Sequence, residues 1–167
     1  SRDGHCPGSW WPERLTEENV KQLWRVELGP SYSGPIVDAT TVYTTETVDK
    51  RDEVVTAYDR VTGERKWRTA WAGSMKVPFF AAKNGSWIRS TPTVDADSVY
   101  IAGMLDVLVC LDKETGEERW RADFVERFET PKPDFGFVCS PLVVGDHVYV
   151  QAGASFVKVD KKTGETV

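Results

Sequence analysis

The chain has 167 residues, 40% of them hydrophobic and 28% charged, with a formal net charge of −5. That length supports one domain with a real core. The acidic balance, with no basic run, argues against a nucleic-acid or anionic-membrane surface, and no apolar stretch reaches the ~18 residues of a transmembrane helix.

Residues 1–32 form an N-terminal leader that ends in an apolar, strand-like piece, "NVKQLWRVEL". No initiating Met and no signal peptide are present, so the chain reads as a processed or partial sequence. The three cysteines, Cys6, Cys110 and Cys139, leave at least one thiol unpaired, and pairing of Cys6 with one of the other two is the minor alternative in an oxidising compartment. Without a CxxC, and with His5 and His147 far apart, no zinc site is expected.

From residue 33 the chain repeats itself. "SGPIVDATTVY" from Ser33 returns as "STPTVDADSVY" from Ser90 and "CSPLVVGDHVY" from Cys139. Behind each comes a second phrase: "YDRVTGERKWR" from Tyr58, "LDKETGEERWR" from Leu111 and "VDKKTGETV" to Val167. Pro35, Pro92 and Pro141 are 57 and 49 apart, and Gly63, Gly116 and Gly164 are 53 and 48 apart. Two phrases in fixed order, three times, define a repeat of roughly 50 residues.

Each unit reads as four short strands bounded by turns. In residues 33–71 these are "PIV", the Val-Tyr strand after "DATT", "EVVTAYD" and "ERKWRTAW". Residues 72–89 are a long loop. Residues 90–124 repeat the unit with "PTV", "VLVCLD" and "EERWRADF", and residues 125–139 are a second long loop. Residues 140–167 hold "PLV", the Val-Tyr strand and "SFVKVD" but no fourth strand. Asp59, Asp112 and Asp160 are expected to accept bonds from N–H groups two or three residues on, and Gly63, Gly116 and Gly164 to supply positive φ to the turn. Metal binding by these Asp residues is the minor alternative. "DADS" at Asp95 echoes a calcium loop but lacks its Gly and distal Glu.

Trp67 and Trp120 each follow their Gly by four residues, a register that suits sideways packing onto the next unit. Trp24 has the same context, so Val20–Leu28 reads as an orphan fourth strand. Four-stranded units of this length stand radially as blades, and a propeller closes when a terminal strand completes a blade begun at the other chain end. The expected fold is all-β: a partial β-propeller of about three antiparallel blades, the N-terminal portion of a larger ring.

These motifs resemble the pyrroloquinoline-quinone-type propeller repeat, Ser-x-Pro-x-Val, Val-Tyr-Val, then Ala-Leu-Asp-x-x-Thr-Gly-x-x-x-Trp. The resemblance covers residues 33–167. It is carried by Ser90, Pro92, Val94, Val99, Tyr100, Leu111, Asp112, Thr115, Gly116 and Trp120 and by their counterparts, with Cys139 replacing Ser in the third unit. WD40 repeats match poorly. "LTEENVKQLWRVELG" resembles the opening segment of quinoprotein dehydrogenases, and "RDGHCPGSW" resembles the leader of propellers exported by some environmental bacteria.

The resemblance implies a bacterial protein of the periplasm or extracellular space. It spans two functional classes: quinone- and calcium-dependent alcohol or sugar dehydrogenases, and non-catalytic protein-binding scaffolds. Sensory propeller domains of membrane-anchored kinases are a third setting. Neither a Cys-Cys pair nor a carboxylate constellation outside the turns is present, so the scaffold is the favoured reading and no cofactor is expected for this piece. Pyrroloquinoline quinone and calcium remain options for a full ring. Contacts are expected at the inter-blade loops, with a protein or a small ligand. Arg89, Trp87, Phe135 and Phe137 are the candidates, and Arg89 is the candidate for an anion at the channel rim. The favoured reading of the loops themselves is that they plug the channel or cover a core edge, with a ligand or protein contact second.

Overall fold

The computed structural model describes residues 12–153 and 155–167; Cys6 and the "RDGHCPGSW" leader lie outside the described residues. The first sheet contains β1 (Ile36–Val37), β2 (Thr41–Val48), β3 (Asp52–Asp59) and β4 (Arg65–Ala72), paired antiparallel in chain order. The second repeats that order with β5 (Thr93–Val94), β6 (Ser98–Gly103), β7 (Val107–Asp112) and β8 (Glu118–Asp123). The third has β9 (Leu142–Val144), β10 (His147–Ala152) and β11 (Ser155–Asp160). A short helix, α1 (Phe124–Phe128), follows β8 and is capped by the Asp123 carboxylate. The three sheets coincide with the three sequence units.

Burial follows from stacking. β7 reads as an unbroken apolar run because both of its faces are covered. Val109 and Leu111 pack with Tyr43, Val55, Ala57 and Trp67 of the first sheet. Leu108 and Cys110 pack with Val148, Val157 and Val159 of the third. In β11 only alternate residues are buried, and Phe156 is 71% exposed. The outer face of β11 is uncovered, whereas β3 of the first sheet is, like β7, buried along both faces.

The turns form as their chemistry dictates. Asp59 Oδ1 accepts from the amides of Val61 and Thr62, and Asp112 and Asp160 repeat this at their own +2 and +3 residues, all at 2.8–2.9 Å. Gly63, Gly116 and Gly164 have φ of 75°, 74° and 76°. A register shift recurs in both complete sheets, at Ala57/Tyr58 and at Cys110/Leu111. The bulged residue re-aims a cation across the sheet: Lys66 donates to Thr41 Oγ1 (2.8 Å) and Arg119 to Ser98 Oγ (2.7 Å).

The sheets are joined by a seam that repeats the same atoms. Trp67 lies on Gly116 and donates from Nε1 to the Lys113 carbonyl (2.9 Å); Trp120 lies on Gly164 and donates to the Lys161 carbonyl (3.0 Å). Ion pairs close the same end, Lys113 to Asp38 (3.6 Å) and Lys161 to Asp95 (3.4 Å). Trp24 lies on Gly63 and donates to the Arg60 carbonyl (2.9 Å). It occupies the place of a fourth-strand Trp belonging to a blade before the first.

The segment around Trp24 differs from expectation in one respect. Val20–Leu28 is not a strand: from Lys21 to Leu28 no amide donates to another backbone group among the described residues. The indole is anchored, but among the described residues no neighbouring strand offers a ladder, and Val20 and Leu23 are 50% and 66% exposed.

Two outcomes follow. A Cβ at Gly116 would sit 2.5 Å from the Trp67 ring at a φ that disfavours side chains. Gly116→Val should therefore cost about 2–4 kcal/mol in denaturant unfolding, and an unchanged midpoint would refute the seam. In hydrogen exchange, the amides of Lys21–Leu28 should exchange far faster than those of Val107–Leu111; equal protection would mean that the segment is paired.

Candidate functional site

In both four-stranded units the turn between the second and third strands lies on the same side as the loop leaving the fourth. In the first unit this is fixed by the amides of Gly73 and Ser74, which both donate to the Arg51 carbonyl (3.1 and 3.0 Å). The loop 72–89 is then folded back on itself. Ser86 Oγ accepts from the Val77 amide (3.1 Å), a 3-10 turn spans Ala82–Asn84, and the Tyr32 hydroxyl donates to the Asn84 carbonyl. Val77 and Ile88 are buried and tie the loop to the core.

The four sequence candidates go to four different environments. Trp87 is half-buried, covers Gly85 (φ 86°) and walls a cleft of about 550 Å³ with Lys50, Ser74, Lys76, Lys83 and Ser86. Arg89 lies over the Tyr32 ring, 4.8 Å from its centroid, and its Nε is buried with no hydrogen-bond partner among the described residues. Tyr32 and Arg89 hold the same repeat position, just before Ser33 and Ser90, so the contact runs between neighbouring units. Phe135 is 38% exposed and meets Phe80 edge-on at 6.1 Å, and Phe80 meets Phe79 in the same way at 5.8 Å. Phe137 is buried against Phe124, at 6.2 Å between ring centroids, and belongs to the core between the second and third sheets. For Phe137 the core-covering reading of the loops is the one the structure favours.

The two described cysteines, Cys110 and Cys139, are unpaired packing residues. Burial pushes the Cys110 thiol up to about 11. Cys139 is half-buried, and its Sγ accepts from the Gln151 amide at 3.2 Å, the kind of bond a Ser hydroxyl would make.

Two carboxylates escape a motif-based reading. Glu53 is the second residue of β3 and is fully buried. Its Oε1 accepts from the Met104 amide (2.7 Å) in the next sheet, and its Oε2 accepts from Trp71 Nε1 (3.0 Å). Gly73 and Gly103 make the space: a Cβ on either would sit 2.3 Å from Oε2. Asp106 precedes β7 and repeats the device, accepting from the Gly153 amide (2.7 Å) of the third sheet. Glu53 and Asp106 are 53 residues apart, the spacing of Gly63 and Gly116. That coincidence is the signal that could have revealed them.

Burial pushes the Glu53 carboxyl up to about 7, while its bonds from Met104 and Trp71 and the nearby Arg121 charge pull it down. Burial also raises Asp106. A calcium site fits poorly here. Glu53 and Asp106 are each committed to the amide of the next sheet, and the turn aspartates to their own backbones. Among the described residues no three His, Cys, Asp or Glu side chains converge.

Stacked antiparallel sheets of four, four and three strands, joined by a repeated indole-on-glycine seam, define part of a β-propeller built from pyrroloquinoline-quinone-type repeats. The chain belongs to the family described as outer membrane protein assembly factor BamB, whose model matches residues 13–82 and 51–167. No match was found among the curated proteins. Among solved structures it resembles a europium-containing methanol dehydrogenase, with TM-score 0.60 and 20% identity over 84% of this chain and 24% of that one. BamB from Moraxella catarrhalis aligns with TM-score 0.58 and 20% identity over 86% and 37%. The quinohemoprotein alcohol dehydrogenase from Comamonas testosteroni aligns with TM-score 0.60 and 22% identity over 83% and 20%. The chain thus spans between about a fifth and two fifths of these neighbours. At such identities the likeness is one of fold. Among the described residues no helix is long and apolar enough to cross a membrane.

The Glu53 carboxyl sets a pH dependence. Its folded value lies above the ordinary 4.5, so the folded protein holds this proton more tightly than the unfolded chain does. Its contribution is full below about pH 4.5 and is lost as pH rises toward 7. Wild type should lose on the order of 3 kcal/mol across that window from this group. Glu53→Gln should remove that share of the slope in denaturant unfolding at a series of pH values. An unaltered slope would mean that Glu53 stays ionised.

Proposed function

We propose that this chain is part of a non-catalytic β-propeller scaffold that works outside the cytoplasm and binds a protein or ligand on its loop face. The observation that carries this reading is the aromatic cluster of the two long loops. Phe79 and Phe80 are 91% and 71% exposed, and through Phe135 they bridge loop 72–89 to loop 125–139. Large aromatics held in mutual edge contact and turned to solvent are what a docking surface requires, and a monomer's stability gains little from them. The name of the matching family refers to assembly of outer membrane proteins, which accords with a scaffold that engages another protein.

The other reading, part of a quinone-dependent alcohol or sugar dehydrogenase, is favoured by the structural neighbours. It asks for cofactor ligands that the described residues do not assemble. A sensory propeller domain has no feature of its own here.

A photo-crosslinking residue at Phe80 tests the scaffold reading in the native host, with a control at Val61, which is 71% exposed in the Asp59–Gly63 turn at the other end of β3. Protein adducts are expected from position 80 and not from position 61. Titration with pyrroloquinoline quinone plus calcium should give no saturable absorbance change or heat. Micromolar binding would overturn the scaffold in favour of the dehydrogenase.

A further inference from the structure

The cleft walled by Trp87 has an unusual charge for this protein. The chain is acidic overall, yet Lys50, Lys76 and Lys83 line the cleft and no Asp or Glu does. Three other lysines have partners, Lys66 on Thr41, Lys113 on Asp38 and Lys161 on Asp95; what sets the cleft lysines apart is that three of them gather around one concavity. None of the three cleft lysines forms an ion pair among the described residues. Three uncompensated cations around one concavity repel one another, and an anion between them relieves that repulsion.

The cleft is held in shape. Lys50 comes from the turn after β2, at φ 53°. Ser74 is fixed through its amide on the Arg51 carbonyl, and Lys76 adjoins Val77, whose amide is held by Ser86 Oγ. Lys83 rides on the 3-10 turn held by Tyr32, and the Trp87 indole lies against Gly85. The charges thus ride on a fixed frame from two chain segments.

We propose that this cleft binds a phosphate ester carrying a ring or other flat apolar group. No guanidinium lines it: Arg51, the nearest in sequence, is clamped on Asp52 at 2.8 and 2.9 Å. Lysine ammonium groups act as point charges with free orientation and suit a tetrahedral phosphate, whereas planar carboxylates favour the arginine fork. The Ser74 and Ser86 side chains add polar lining, and the Trp87 ring gives the flat part of the ligand a stacking face. The space, about 550 Å³, is that of a small-molecule site. This inference rests on the reading that the loop face is the binding face, but it uses Lys50, Lys76, Lys83 and Trp87 and not the Phe79–Phe80–Phe135 cluster.

The test is calorimetric titration of the full chain at low salt with sodium pyrophosphate, inorganic phosphate and phenyl phosphate. Pyrophosphate should bind saturably at one site. Lys76→Ala combined with Lys83→Ala should weaken it about tenfold, without moving the melting temperature, since both side chains are exposed. Phenyl phosphate should bind tighter than inorganic phosphate, and Trp87→Leu should erase that preference. Co-sedimentation with phosphatidylglycerol vesicles that falls in the lysine variant would uphold the site and assign the phosphate to a lipid headgroup. Binding of the soluble probes alone would uphold it for a free phosphate ester. Absence of saturable binding, equal binding by the lysine variant, or binding of a polyglutamate peptide in preference to every phosphate would overturn it. Because Phe80 lies outside the cleft lining, crosslinking at that position fails or succeeds independently.

Discussion

The indole-on-glycine contact between neighbouring sheets is the constraint on which the rest of the fold depends. A tryptophan can lie flat on the next blade only where that blade has no Cβ, and the turn there needs positive φ in any case. One glycine meets both demands at Gly63, Gly116 and Gly164. The two requirements are independent, one local and one tertiary, and they fall on the same atom. This is why the phrase Asp-x-x-Thr-Gly-x-x-x-Trp recurs as a block: the Asp shapes the turn, the Gly seats the incoming indole and the Trp projects to the next glycine. The seam is hydrophobic in area and directional through its Nε1 bond, so it fixes both the spacing and the register of the blades.

Much of this was legible because it is local or periodic. The strands, the turns and the sideways role of Trp67 and Trp120 need only a few consecutive residues to be recognised. What was not legible depends on neighbours. Val20–Leu28 has a strand's composition, but a strand exists only in a ladder, and no partner stands beside it among the described residues. Phe135 and Phe137 are two residues apart in one loop, yet one faces solvent and the other the core; the Phe124 ring of α1, not composition, decides which. Arg89 lies on Tyr32, a contact between two members of one repeat position that are far apart in sequence and that no single repeat reveals.

Glu53 and Asp106 were missed for another reason. Each looks like an ordinary polar residue at a strand start. Their meaning comes from what lies across the seam: the amides of Met104 and Gly153, with Gly73 and Gly103 leaving room for the Glu53 carboxylate. A buried carboxylate without a paired cation is a poor stabiliser, and replacing it with apolar packing often improves stability. Its use twice at the same register suggests a different value. It accepts a backbone donor that would otherwise be buried unpaired, and it does so with a geometry that tolerates no slip of one blade against the next. The two ends of the seam are thus specified by different physics, an indole on glycine at one and a carboxylate on an amide at the other.

That division explains where a binding surface can be built. The Asp-to-Gly turns are short, repeat almost unchanged and are consumed by stacking. The opposite side carries loops 72–89 and 125–139, which are anchored through Gly73, Val77, Ile88 and Phe137 and turn their remaining residues to solvent. A rigid stack below and folded loops above give side chains such as Phe79, Phe80 and Trp87 fixed positions without burying them in the core. Holding exposed groups still lowers the entropy lost when a partner or ligand is engaged. The indole seam at one end and the Glu53 and Asp106 bonds at the other together fix the blades, and the solvent-facing parts of the loops beyond them are left for binding.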